Sequence, residues 1–102
     1  MTKEEKALLD TIAYTEGTLG VSNNGYDVVV GYRIIAGWTK DTTITHGGGD
    51  WTYTFKNGKK SDAAGRYQFL KSTWMGGSDT KPGPNLPMTK ENQDKRCLEL
   101  IN

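Results

Sequence analysis

Glycine limits what this chain can build more than any other residue. Thirteen of its 102 residues are glycine, and each one inside a helix or strand costs about 0.5–1 kcal/mol relative to alanine. The glycines therefore mark where regular elements stop. Gly17 closes the first segment, Gly31 and Gly37 punctuate the next, and His46-Gly47-Gly48-Gly49 reads as a flexible loop. Gly58 follows Asn57 in a tight-turn pair, and Gly76-Gly77 ends another segment. Short elements joined by much loop are what such a chain can form.

The segments between these stops have recognisable periods. Thr2 with Glu5 three residues later predicts a capping box, and Leu8, Leu9, Ile12 and Ala13 recur at helical spacing, so a helix is expected to run to about Glu16. Residues 19–25 are turn chemistry, and Tyr26 to Val30 reads as a strand. Trp51, Tyr53 and Phe55 alternate with Thr52 and Thr54, which predicts a second strand entering the Asn57-Gly58 turn. A second helix is expected to open at Ser61 or Asp62, with Tyr67, Leu70 and Trp74 on one face. After an extended Pro82-Gly83-Pro84 connection, Thr89 caps a third helix whose apolar face is Cys97, Leu98 and Ile101. That helix runs to Asn102 with the apolar face intact, which predicts packing against another chain or a further segment. Helix, β-region, helix, helix is the order of a small α+β domain spanning residues 1–102.

Composition removes several functions. Thirteen Lys+Arg against 12 Asp+Glu leave a net charge of +1, too little for bulk attraction to nucleic acid or anionic lipid. No apolar run approaches the ~20 residues of a membrane-spanning helix. The N-terminal Met-Thr-Lys-Glu-Glu-Lys is not a signal peptide. The single cysteine, Cys97, and single histidine, His46, exclude an internal disulfide and predict no metal site and no cofactor. His46 reads as an exposed loop residue and Cys97 as core.

Among the carboxylates, Glu16 has an unusual setting. It ends a helix, where the dipole favours the protonated acid, and adjoins an apolar face, where burial acts the same way. That is the environment of a general acid. A second cluster, Gly65-Arg66-Tyr67-Gln68, combines a glycine for close approach, a ring to stack on a sugar and an amide to hold an N-acetyl or hydroxyl group.

Three stretches then carry a resemblance. Ala13-Tyr14-Thr15-Glu16-Gly17-Thr18, Asn24-Gly25-Tyr26-Asp27-Val28-Val29-Val30-Gly31 and Ala64-Gly65-Arg66-Tyr67-Gln68-Phe69-Leu70 closely resemble, in order and rough spacing, the lysozyme (endolysin) family of bacteriophage lambda. Met88 to Ile101 looks like the next helical segment of that family. The resemblance implies a lysozyme-like α+β fold, with a small β-hairpin region forming one lip of a cleft. It implies a lytic transglycosylase, acting on the β-1,4 bond between N-acetylmuramic acid and N-acetylglucosamine of peptidoglycan strands and leaving a 1,6-anhydro end.

Residue by residue, the family's catalytic glutamate maps onto Glu16 as acid and base, and Tyr67, Gln68, Gly65 and Tyr26 map onto the sugar subsites. Trp38, Trp51 and Tyr53 fall in the β-region that forms the lip, where they either stack on glycan rings or pack the core of the hairpin. Asp27 is expected to be structural, and Asp62 to cap a helix; with Asp50 they are the candidates for the second carboxylate a hydrolase needs. Without a signal peptide, such an enzyme made in the host cytoplasm reaches the periplasmic wall through a holin pore or with the virion, where phage tail proteins become partners. Family members have a second glycine where this chain has Tyr32, and they continue beyond the third helix, so the C-terminal part of the cleft is expected from elsewhere. The alternative is a module that binds glycan without cutting it, or a structural component of a phage particle.

Overall fold

Helix α1 forms over Lys3–Glu16 in the computed structural model, which describes residues 1–78 and 80–101. Its start is the expected capping box: the Glu5 amide donates to Thr2 Oγ1 at 3.0 Å, and the Thr2 amide donates to Glu5 Oε1 at 2.8 Å. Its stop is Gly17, at φ 76°. There the Thr18 amide reaches back to the Ala13 carbonyl at 2.9 Å and the Gly17 amide to Tyr14 at 3.0 Å, a closure that needs the left-handed conformation glycine takes freely.

Two small antiparallel hairpins follow. Strand β1 (Val28–Val29) pairs with β2 (Arg33–Ile34) in the register Val28 to Ile34 and Val29 to Arg33. Strand β3 (Tyr53–Thr54) pairs with β4 (Lys60–Ser61) across the Asn57-Gly58 turn. Trp51 lies outside the second hairpin. It ends a 3₁₀ turn over Gly48–Trp51, because the glycine run lets the amides of Asp50 and Thr52 bond back to Gly47 and Gly49.

The second helix differs most from expectation. Ser61 belongs to β4, and only Lys71–Met75 is helical (α2). Residues 63–65 are captured by β1 instead: the Val30 amide donates to Ala63 at 2.8 Å and the Gly65 amide to Val28 at 2.7 Å. Ala64 and Phe69 then exchange both backbone bonds at 2.8 and 2.9 Å, closing a tight turn with Gln68 at φ 52°. Backbone groups pledged to a sheet edge are not free for a helix. Leu70, not Asp62, is the N-cap of α2; the Asp62 carboxylate accepts the Lys71 amide at 3.2 Å from nine residues back.

Helix α3 covers Lys90–Ile101, and Thr89 caps it by accepting the Asn92 amide at 3.2 Å; Asn102 lies outside the described residues. The core joins Leu9 and Ala13 of α1 to Val29, Ala64, Phe69, Trp74, Met88 and Cys97. Burial pushes the Cys97 thiol up to about 11. Ile101 is exposed rather than part of this packing.

His46 overturns its reading as an exposed loop residue, being 1% exposed. The glycines after it wrap the ring. Gly48 donates its amide to Nδ1 at 3.1 Å, which leaves the proton on Nε2 to reach the Phe69 carbonyl at 2.8 Å. The flexible run is thus the means of burying an imidazole, and burial lowers its pKa.

Candidate active site

The end of α1 and the turn of the first hairpin enclose a cleft of about 350 Å³. Glu16, Thr18 and Gln68 line it together with Tyr32, Tyr53 and Phe55. Among the described residues, no donor bonds the Glu16 carboxyl and no cation pairs with it. The residue as a whole is exposed, and partial desolvation of its carboxyl raises its pKa. A carboxyl in that state holds a proton to higher pH and has lone pairs free for a ligand, both properties of a general acid.

The groups around it are held firmly. Thr18 is buried, and its hydroxyl donates to the Arg66 carbonyl, tying the helix end to the 64–69 turn. Gln68 directs its amide nitrogen inward, to the carbonyls of Gly65 at 2.8 Å and Val28 at 3.3 Å, which leaves its carbonyl oxygen as the group offered to the cleft. Tyr53 lies flat against Gly31: a Cβ there would meet Tyr53 Cδ2 at 2.6 Å. Phe55 meets the Tyr53 ring edge-on at 5.1 Å.

Three residues expected at the subsites lie elsewhere. Tyr67 and Tyr26 are buried, and both phenols donate to Asp94 Oδ1, at 2.5 and 2.8 Å. Burial raises both pKa values, that of Tyr26 to about 12. Gly65 packs against the Gln93 side chain, whose oxygen accepts the Arg66 amide at 2.9 Å. Arg66 itself is buried, bonding Tyr67 Oη at 3.0 Å and Asp10 at 2.7 Å. The Gly-x-Tyr-Gln stretch is therefore a clamp joining α1 and α3, with only Gln68 facing the cleft.

The aromatic residues divide similarly. Trp38 stacks on Tyr26 with centroids 5.9 Å apart and donates to the Met88 carbonyl at 2.7 Å. Trp51 packs on His46 at 5.1 Å; of the three aromatics expected on the lip, Tyr53 alone lines the cleft. Asp27 is buried and bonded by Ser22 at 2.9 Å and by the Asn23 side chain at 2.7 Å. Thr18, Tyr32 and Phe55 were not expected as site residues. Thr18 had a signal in the Glu-Gly-Thr triplet; Phe55 had one only in the strand alternation.

The sequence profile described as Endolysin matches residues 6–102. Two solved structures superpose with a TM-score of 0.69 at 28% identity: lysozyme from bacteriophage lambda, and bacteriophage lambda lysozyme complexed with a chitohexasaccharide. Each match covers 99% of this chain, which spans 62% of the length of the lambda protein. No curated protein sequence matches significantly.

Proposed function

Because the chain belongs to the endolysin family, we propose that it is a phage lysozyme acting as a lytic transglycosylase on peptidoglycan. The observation carrying this reading is the number of carboxyls in the cleft. Among the described residues that line it, Glu16 is the only acid. Asp27 and Asp62 are engaged with Ser22 and Asn23, and with the Lys71 amide. A hydrolase uses two carboxyls, ~5–5.5 Å apart for retention or ~6.5–9.5 Å for inversion. Transglycosylation needs one, because the nucleophile belongs to the substrate.

In this mechanism, protonated Glu16 gives its proton to the glycosidic oxygen as the C1–O bond of the muramoyl residue breaks. The carboxylate left behind takes the proton from the C6 hydroxyl as O6 bonds to C1, closing the 1,6-anhydro ring and restoring the acid without consuming water. The raised pKa of Glu16 serves the first half of the cycle. Gln68 offers an acceptor for a sugar hydroxyl or N-acetyl N–H, and Tyr53 and Phe55 a surface for a pyranose face. The lambda lysozyme structure with its chitohexasaccharide supports a glycan ligand for this cleft. Access to the wall comes through a holin pore or with the virion.

Glu16→Gln tests the reading. It removes the proton source and leaves the fold, so clearing of purified peptidoglycan should fall at least a thousandfold with the melting temperature unchanged. Clearing at the parental rate would refute Glu16 as the acid. Mass spectrometry of the parental products should give muropeptides one water lighter than hydrolysis products; hydrated ends would point to a second carboxyl.

A further inference from the structure

Tyr32 sits in the tight turn between β1 and β2, where the backbone takes a conformation that suits glycine and is costly for a bulky side chain. Its φ is 57°, in the left-handed region that glycine enters freely and that bulky side chains rarely occupy. The side chain recovers nothing from the fold, being 75% exposed. Its position is not random, however. The ring lines the cleft and stretches from the β1–β2 turn towards the end of α1, where a Cβ on Gly17 would lie 3.5 Å from the phenol oxygen. The hydroxyl is thus beside the residue that follows Glu16.

Its neighbours make a surface of the same kind. Tyr53 is seated on Gly31, with the Arg33 guanidinium 5.9 Å from its ring centre and Phe55 against its edge. Arg33 is itself anchored by the carbonyls of Val30, at 3.2 Å, and Trp51. Tyr53 and Phe55 are each about two-fifths exposed. Three aromatic rings therefore line the same cleft as Glu16. The turn would accept glycine at lower cost, so a tyrosine kept there with its ring in the cleft points to a role for the side chain.

We propose that Tyr32 is a substrate-contacting residue that sets the affinity of the cleft, its ring stacking on the pyranose bound beside Glu16 and its hydroxyl bonding that sugar. The proposal rests on the glycan-binding reading above. Its ligand class is a β-1,4-linked N-acetylated oligosaccharide, which presents both an apolar C–H face and hydroxyl and N-acetyl groups.

Stability and affinity respond in opposite directions, and this provides the test. Tyr32→Gly relieves the backbone and should raise the melting temperature by about 4 °C. In the Glu16→Gln background, where binding is read without cleavage, the same change should weaken chitohexaose binding about tenfold in an NMR titration. Tyr32→Phe restores the ring and should recover most of the affinity. A lower melting temperature for Tyr32→Gly would make Tyr32 a packing residue, and an unchanged Kd would remove it from the ligand; either result overturns the proposal. If wild-type protein clears peptidoglycan while Tyr32→Gly binds as its parent does, this proposal alone fails. If wild-type protein neither clears peptidoglycan nor binds chitohexaose, the glycan reading fails and takes this one with it.

Discussion

Tyr67 and Gln68 are adjacent in the chain, yet Tyr67 faces the core and Gln68 the cleft. Tyr67 donates to Asp94 and accepts from Arg66 in a buried network, whereas Gln68, turned to φ 52°, lines the site. Tyr67→Phe should therefore cost about 1–2 kcal/mol in urea unfolding, since it leaves buried Asp94 and Arg66 each one partner short. KM for soluble glycan fragments should not change. Gln68→Ala should raise KM about fivefold, as expected for one neutral hydrogen bond to ligand, and should also cost about 1 kcal/mol because it releases the carbonyls of Gly65 and Val28. A KM rise for Tyr67→Phe equal to that of Gln68→Ala would place the phenol at the sugar. Glu16 was legible from its place at a helix end beside apolar residues. The direction of the Tyr67 ring was not, because it depends on Asp94, 27 residues later.

At the scale of elements, the first hairpin organises the site. β1 holds β2 on one edge and residues 63–65 on the other, and its turn seats Tyr53 on Gly31. Gly31 and Gly58 share a φ of 84°, but a Cβ at Gly58 meets nothing within 4 Å. Gly58→Ala should thus show the backbone penalty alone, about 1 kcal/mol. Gly31→Ala should exceed it by a further 1–2 kcal/mol for the displaced ring, by a rough overpacking scale, and should also lower activity. Thermal unfolding of the two variants measures the difference; equal losses would show that Tyr53 moves aside freely. Capping residues predicted α1 and α3 well because caps act within one turn. They failed for the Ser61–Leu70 stretch, where pairing with β1 across more than 30 residues overrides local helical preference.

For the molecule as a whole, His46 is a pH-sensitive tie. Its ring bonds Phe69, its amide donates to Asn85 Oδ1 at 3.1 Å, and its carbonyl accepts from Asn85 Nδ2 at 2.9 Å. Burial holds the folded pKa below the ordinary value of 6.5, so between the two values the unfolded chain binds the extra proton. Stability is then fully present above about pH 6.5 and is lost as pH falls through the folded value. Arg66 likewise lowers the pKa of Asp10, but a lowered carboxyl matters only in more acidic solution. Urea unfolding at about pH 7.5 and pH 5.5 should therefore show a loss at the lower pH. That loss should shrink in His46→Gln; an identical loss in the variant would assign it to other groups.

Read alone, the sequence determined the features that act over short distances: the capped first helix with Glu16 at its end, the Gly17 stop, the Asn57-Gly58 turn and the α+β class. It also carried, in three ordered motifs, the family to which the chain belongs. Tertiary structure alone decided which polar and aromatic side chains reach the cleft. Tyr26, Tyr67 and His46 are polar enough to read as site or surface residues, yet each is buried because a distant partner (Asp94 for the two phenols, the Phe69 carbonyl for the imidazole) completes its hydrogen bonds. Tyr32 illustrates the converse. In sequence it is one aromatic residue after a glycine, and only the folded backbone shows the strain under which its exposed ring is held over the cleft.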